Sequence, residues 1–247
     1  MIEIRNLSHR FSDGTLGLDR VDLSVGQGEF VVIAGANGSG KTTLLRHING
    51  LLSPENGSVI LDGRSVAQDP IRARRLAGMV FQDADRQIVG ETVFDDVAFG
   101  PENLNLERGE IERRVTRALE TVGLAHLADQ RPHVLSGGEK RRLAVAGVLA
   151  MEPRVIMLDE PFSNLDYPGV RQVLSQILAL HDGGNTLLVA THDLEKVIAH
   201  ANRLVLMQRG RVVRDGLPAA IVTQTESYGV RQPCATRLGL EVRSWLN

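Results

Sequence analysis

The chain has 247 residues, 43% hydrophobic and 23% charged, which excludes disordered, collagen-like and small disulfide-stapled proteins and suits one or two folded domains. The 28 Lys and Arg against 30 Asp and Glu leave a formal net charge of −2, so no bulk excess of basic charge is available for nucleic acid, and none is expected as a partner. The single cysteine, Cys234, allows no internal disulfide or multi-thiolate metal site and reads as a small semi-buried residue in a reducing compartment.

The start, Met1-Ile2-Glu3-Ile4-Arg5, lacks the basic-then-apolar order of a secretory signal, and no run approaches the roughly 18 apolar residues of a spanning helix. A cytoplasmic location is expected, with any membrane role supplied through a partner. Residues 2–7 and 21–25 alternate apolar with polar side chains around the turn Asp13-Gly14, the pattern of antiparallel, half-buried strands. Residues 29–34 form a continuous, β-branched run, a buried strand, followed by a Gly-rich loop and a helix over 43–49 that ends at Gly50. Further strands are expected at 59–61, after a turn at Asn56-Gly57, and at 79–81.

From about residue 82 to 153 strand signals give way to helical periodicity, clearest where Ile111, Val115, Ala118, Leu119 and Val122 recur on one face. Strand and helix then alternate: strands at 155–158, 186–190 and 204–207, helices at about 168–180 and 194–200. The expected organisation is an α/β core with a mixed sheet and an antiparallel β subdomain in 1–82 and 154–216, a helical insert in 83–153, and a tail, 217–247, without a readable motif.

Gly35-Ala36-Asn37-Gly38-Ser39-Gly40-Lys41-Thr42 matches the phosphate-loop pattern in its required place between strand and helix. The glycines let backbone N–H groups converge on phosphate oxygens, the helix adds its positive end, Lys41 reaches the outer phosphates, and Thr42 can ligate Mg²⁺. Val155-Ile156-Met157-Leu158-Asp159-Glu160 is an apolar strand ending in two acids, which sets both carboxylates at the edge of a parallel sheet where ligands sit. Asp159 suits a metal site and Glu160 a general base for attacking water. His192, just beyond strand 186–190, emerges at the same edge. Ser136 with Glu139 three residues on is a capping-box pattern, and Gly137 and Gly138 between them leave N–H groups uncovered at a second positive helix end.

Leu135-Ser136-Gly137-Gly138-Glu139 resembles the signature motif of ABC-type ATPases. Alongside it, Phe11 is similar to the aromatic residue that stacks on adenine, Gln82 to the Q-loop glutamine, Ser163-Asn164-Leu165-Asp166 to the D-loop, and His192 to the switch histidine. These motifs stand in family order across residues 2–216. The resemblance implies a P-loop NTPase (RecA-like) core and ATP with Mg²⁺ as cofactors. It implies catalytic roles for Glu160, His192, Lys41 and Gln82, and metal contacts from Thr42, Gln82 and Asp159. Nucleotide contacts are implied for Phe11, Gly35, Ala36, Asn37, Gly38, Ser39, Gly40, Lys41, Thr42, Thr43, Ser136, Gly137, Gly138, Glu139 and Asp166. A head-to-tail dimer holding two ATP molecules is also implied, with a second copy or a paralogue as the other half. Family signatures commonly carry Gln at the position of Glu139; a carboxylate folded back onto its own helix accounts for the difference.

Residues 80–88 and 97–103, VFQDADRQI and VAFGPEN, resemble the ATPase subunits of energy-coupling-factor transporters, which serve cobalt, nickel and vitamin uptake. Many relatives carry Pro at the position of Ala84. This resemblance implies a peripheral subunit on the cytoplasmic face of the membrane, bound to integral transport subunits. The neighbouring alternative is an ATPase of another ABC importer or exporter. A kinase or GTPase leaves residues 135–139 and His192 without work, and a soluble ABC machine would bring tandem cassettes or coiled-coil arms.

Overall fold

In the computed structural model, which describes residues 1–246, two sheets share one helix. Strands β1 (Ile2–Arg10), β2 (Leu16–Val25), β4 (Asn56–Leu61) and β5 (Arg64–Ser65) form an antiparallel sheet in the order β2-β1-β4-β5. The second sheet runs β10 (Arg211–Gly216), β9 (Arg203–Gln208), β3 (Phe30–Ala34), β8 (Thr186–Thr191), β7 (Val155–Asp159), β6 (Ala77–Val80). Its strands are parallel except β10, which pairs antiparallel with β9. Helix α1 (Lys41–Ile48) lies between the sheets.

The unbroken apolar runs have a direct cause. All five residues of β3 are buried, and alternate side chains serve opposite faces. Val31 and Ile33 join Leu44, Leu45 and Ile48 of α1 and Ile2, Leu7 and Leu18 of the antiparallel sheet. Phe30, Val32 and Ala34 join the opposite core, with Val97, Leu119, Leu143 and Leu174. Each large side chain so buried contributes about 1.5–3 kcal/mol before entropy is counted.

The helical insert comprises α3 (Val93–Asn103), α4 (Arg108–Thr121) and α5 (Gly137–Leu149). Residues 83–153 contain no strand among the described residues. On α4, Val115, Ala118 and Leu119 are buried, and Ile111 packs at their edge. Capping boxes start α3, from Thr92 and Asp95, and α5, from Ser136 and Glu139. Helix α6 (Tyr167–Asp182) begins with Asp166 accepting from Gly169 N at 2.9 Å.

Several sequence expectations are corrected. Residues 194–200 are turns with a single 3-10 turn at Ile198–His200, not a helix. There Val197 N donates to Leu194 O at 3.2 Å and His200 N to Val197 O at 3.1 Å, i to i+3 turns in place of a continuous helical ladder. Asn56 and Gly57 open β4 and are not a turn. Gly57, at φ 84°, lies under the carbonyls of Arg5 and Asn6 where a Cβ would collide, and the β1–β4 register slips beside it. Cys234 is exposed, because it opens the short surface helix α8 (Cys234–Arg237). Three elements before the tail were not expected from the sequence: β5, α2 (Pro70–Leu76), capped by Asp69, and β10. The tail returns to the core through Ile221, Val222 and Val230, after α7 (Pro218–Ile221).

Candidate nucleotide site

Strands β3, β8, β7 and β6 are parallel neighbours, so whatever follows their carboxyl ends is gathered along one edge. The glycine loop follows β3, His192 follows β8, Glu160 follows β7, and Gln82 stands two residues beyond β6. A cavity of about 430 Å³ opens there, lined by Phe11, Thr15, Leu16, Gly17, Asn37, Gly38, Ser39, Gly40, Lys41, Thr42, Thr43, Gln82 and Glu160.

Gly40 is the residue before α1 and adopts φ 105°, a conformation open to glycine and strained for side chains. An added Cβ at Gly35 would strike the Ser39 side chain and the Met207 carbonyl, so the loop closes tightly over the strand ends. Lys41 is buried; its Nζ donates to Gly35 O at 2.7 Å and Ala36 O at 3.2 Å and lies 3.7 Å from Glu160 Oε1. Burial pulls the lysine pKa down, while the carboxylates of Glu160 and Asp159 oppose that pull. The cation is held by weak carbonyl acceptors at the cavity floor, a poised arrangement for a phosphate group.

Thr42 Oγ1 donates to Asp159 Oδ2 at 2.7 Å. The other carboxylate oxygen, Oδ1, is buried without a hydrogen-bond partner, and burial pushes the Asp159 pKa up despite the Thr42 bond. An unpartnered buried carboxylate oxygen beside a hydroxyl is the donor set that a hard cation such as Mg²⁺ satisfies. No group of three or more His, Cys, Asp and Glu side chains forms a closed metal site among the described residues.

Glu160 is buried and takes φ 49°, a left-handed conformation worth about 1–3 kcal/mol of strain for a side-chain-bearing residue. Four bonds hold it: its N–H donates to Ala190 O at 2.8 Å, its carbonyl accepts from Ser163 N at 3.2 Å, Thr191 Oγ1 donates to Oε2 at 3.1 Å, and His192 Nδ1 meets Oε1 at 2.9 Å. Since an ionised carboxylate only accepts, the imidazole donates from Nδ1 and leaves Nε2 toward solvent. The His192 side chain is 51% exposed against 7% for Glu160, so the pair spans from the cavity floor to open space. Thr191 was visible in sequence only as a flank of His192; its hold on Glu160 depends on β7 and β8 being neighbours.

Ser136, Gly137, Gly138, Glu139 and Asp166 do not line the cavity. The first four open α5 and Asp166 caps α6, and a Cβ on Gly138 would stand 4.0 Å from Leu165. Ser136 N and Oγ donate to Glu139 Oε2 at 2.8 and 2.7 Å, and Glu139 N returns to Ser136 Oγ at 3.3 Å. These bonds lower the Glu139 pKa, so the carboxylate is spent on its own helix. Gly137 and Gly138 place no side chain over the helix start, where the cap takes the Glu139 amide. His192 also lies outside the cavity wall, reaching it through Glu160.

Residues 18–163 match the family model described as ABC transporter. The chain is 41% identical to the energy-coupling factor transporter ATP-binding protein EcfA of Methanococcus maripaludis, over 92% of this chain and 83% of that protein. It is 43% identical to the cobalt import ATP-binding protein CbiO of Rhodobacter capsulatus, over 95% and 86%. Among solved structures it resembles CbiO1 of Clostridium perfringens, described as part of the ABC transporter complex cbiONQ, with TM-score 0.82, 36% identity and 92% of each chain covered. A dimeric ATP-binding cassette bound to ADP and Pi matches at TM-score 0.80 and 28% identity, over 88% of this chain and 99% of that one.

Proposed function

For a chain that belongs to the ABC transporter ATP-binding proteins, with EcfA and CbiO relatives above 40% identity, we propose a working cycle carried by the cavity at the carboxyl edge of the β3-β8-β7-β6 strands. The chain is the ATPase subunit of an importer of the energy-coupling-factor or cobalt type. The single observation behind the cycle is the convergence of Phe11, the phosphate loop, Gln82 and Glu160 on that cavity, with the Thr42–Asp159 pair at its floor.

In this reading adenine stacks on the Phe11 ring, and the triphosphate takes the loop amides and Lys41 Nζ. Thr42 and Oδ1 of Asp159, with Gln82 in the same cavity wall, would hold Mg²⁺, which would neutralise charge on the phosphates. Glu160 Oε1 takes a proton from the attacking water, and His192 keeps that carboxylate oriented. Lys41 and the loop amides stabilise charge developing on the transferred phosphoryl group.

The amides at the start of α5 cannot reach the nucleotide of their own chain, since they lie outside its cavity. They are assigned to ATP held by a second ATPase subunit, a copy or a paralogue, with Asp166 at the same interface. The transport subunits are assigned to a different surface: an apolar groove of about 340 Å³ lined by Leu51, Met79, Phe81, Val89, Phe99 and Met151, among others. Val89 and Phe99 expose more than half of their surface there, and Phe81 precedes Gln82 directly. A helix seated in the groove therefore bears on the residue that enters the nucleotide site. Among the described residues no helix is long and apolar enough to cross a membrane, so the membrane element belongs to the partner.

The transported substrate is assigned to a transition metal ion or a vitamin. Tagging the chain and purifying it from detergent-solubilised membranes of its host tests this reading. Recovery with a small polytopic coupling protein and a separate substrate-capturing membrane protein is expected. A conventional permease as sole membrane partner would overturn the energy-coupling assignment, and purely soluble partners would overturn transport.

A further inference from the structure

Behind the Phe11 ring stands a row of two histidines that the catalytic reading does not use. The Phe11 ring meets the His9 ring edge to face, with centroids 4.8 Å apart and planes at 85°. His9 meets His47 in the same manner, at 4.8 Å and 73°. His47 lies on α1, six residues beyond Lys41, and is 1% exposed. Its Nδ1 bonds Thr43 O at 2.8 Å, which fixes the ring against the helix that begins at the phosphate loop. The Nε2 atoms of both histidines are buried without partners. Each ring is thus packed against its neighbours' faces and edges.

Gly17 closes the other side. A Cβ there would come within 2.7 Å of Phe11 Cε2 and 3.4 Å of His9 Cδ2, so the ring occupies space that only a glycine on β2 leaves open. The turn that carries Phe11 is tied by Phe11 N to Thr15 O and Gly14 N to Phe11 O, both 2.9 Å. These bonds place the backbone; the side-chain torsions are left to packing. Phe11 itself is 38% exposed at the cavity mouth, and an exposed ring without support would sample other rotamers.

We propose that His9 is the positioning residue for the Phe11 ring, braced by His47 and made possible by Gly17, so that recognition of the nucleoside end of ATP is anchored to the phosphate-loop helix. The inference rests on the proposed stacking of adenine on Phe11. It predicts that His9 contributes to binding of a nucleoside triphosphate and not to binding of a bare triphosphate chain, because His9 touches the ring and none of the phosphate-binding atoms.

The test measures binding of Mg-ATP and of inorganic tripolyphosphate with Mg²⁺ to the full chain and to four variants. His9→Ala should weaken ATP binding roughly two- to tenfold, the range an edge-to-face aromatic pair is worth. It should leave tripolyphosphate binding within about twofold, and His9→Phe should restore ATP binding by supplying another ring edge. Gly17→Ala displaces the ring from the other side and should produce the same selective loss. Equal weakening of both ligands by His9→Ala would overturn the positioning role in favour of a general structural one. Unchanged ATP binding in His9→Ala and Gly17→Ala, with a loss in Phe11→Ala, would overturn the inference and leave base stacking standing. Unchanged ATP binding in Phe11→Ala would overturn the stacking on which it rests.

Discussion

Replacing Glu160 by Gln separates hydrolysis from binding. The neutral side chain has almost the same shape, so one oxygen can still accept from His192 Nδ1, and the amide can take the place of Oε2 beside the Thr191 hydroxyl, which is able to accept as well as donate. The left-handed backbone at φ 49° and the Glu160 N–Ala190 O bond are unaffected. Two things are lost: a base for the attacking water, and a carboxylate 3.7 Å from Lys41 Nζ. Loss of a positioned general base costs about 10²- to 10⁴-fold in rate, or roughly 3–5.5 kcal/mol on the barrier. Removing a negative charge beside the lysine cannot weaken a polyanion's attraction to it, so ATP affinity should be retained or slightly increased. Phosphate release under saturating Mg-ATP, nucleotide binding followed by fluorescence, and mass measured by light scattering together read all three consequences. The expected result is a kcat lowered at least about 100-fold, undiminished ATP affinity, and an ATP-dependent dimer that persists. Turnover within tenfold of the parent would refute the role of Glu160 as base, and a parallel loss of ATP affinity would refute the separation of base from phosphate site.

Other outcomes follow from the same geometry. Asp159→Asn keeps an oxygen for Thr42 but removes the buried charge, so the Mg²⁺ dependence of ATP binding should flatten; an unchanged Mg²⁺ titration would remove Asp159 from the metal site. Glu139→Gln preserves both arms of the capping box and should leave thermal stability within about 0.5 kcal/mol, whereas Glu139→Ala should cost about 0.5–2 kcal/mol, measured by urea unfolding. Glu110 receives bonds from Arg113 and Arg114, which hold its pKa at about 2 against an ordinary 4.5. A carboxylate depressed in the fold stabilises above its unfolded value and loses that contribution as pH falls through the folded one. The urea midpoint of the parent should therefore exceed that of Glu110→Gln above about pH 4.5, and the gap should close as pH falls toward 2. A pH-independent gap would contradict the charge-assisted reading.

Much of the site was legible because its parts are written in short stretches whose meaning is local. The phosphate loop needs glycines, a lysine and a hydroxyl within eight positions, and Ser136 with Glu139 closes a cap three residues wide. The strand runs expected at 29–34 and 155–158 likewise declare themselves, and the strands stand at 30–34 and 155–159, since a parallel strand buried on both faces tolerates no polar alternation. What failed was also local. Residues 194–200 carry helical periodicity, yet their backbone closes i to i+3 turns, Val197 N to Leu194 O and His200 N to Val197 O, in place of a continuous ladder. Asn56-Gly57 has turn chemistry, but its glycine is used for close approach to the β1 backbone.

The rest belongs to the tertiary structure. Sequence alone specified which residues could bind phosphate, hold a metal or take a proton, because those capacities are properties of side-chain types and of spacing along one chain. It could not say that Glu160 and His192 share a hydrogen bond, which requires β7 and β8 to be neighbours. Nor could it say that Lys41 is buried against that same carboxylate, or that His47 braces His9 behind Phe11 across the gap between a strand and a helix. Contacts between residues far apart in the chain are decided by strand order and by which face each side chain takes, and both are settled only when the two sheets close on α1.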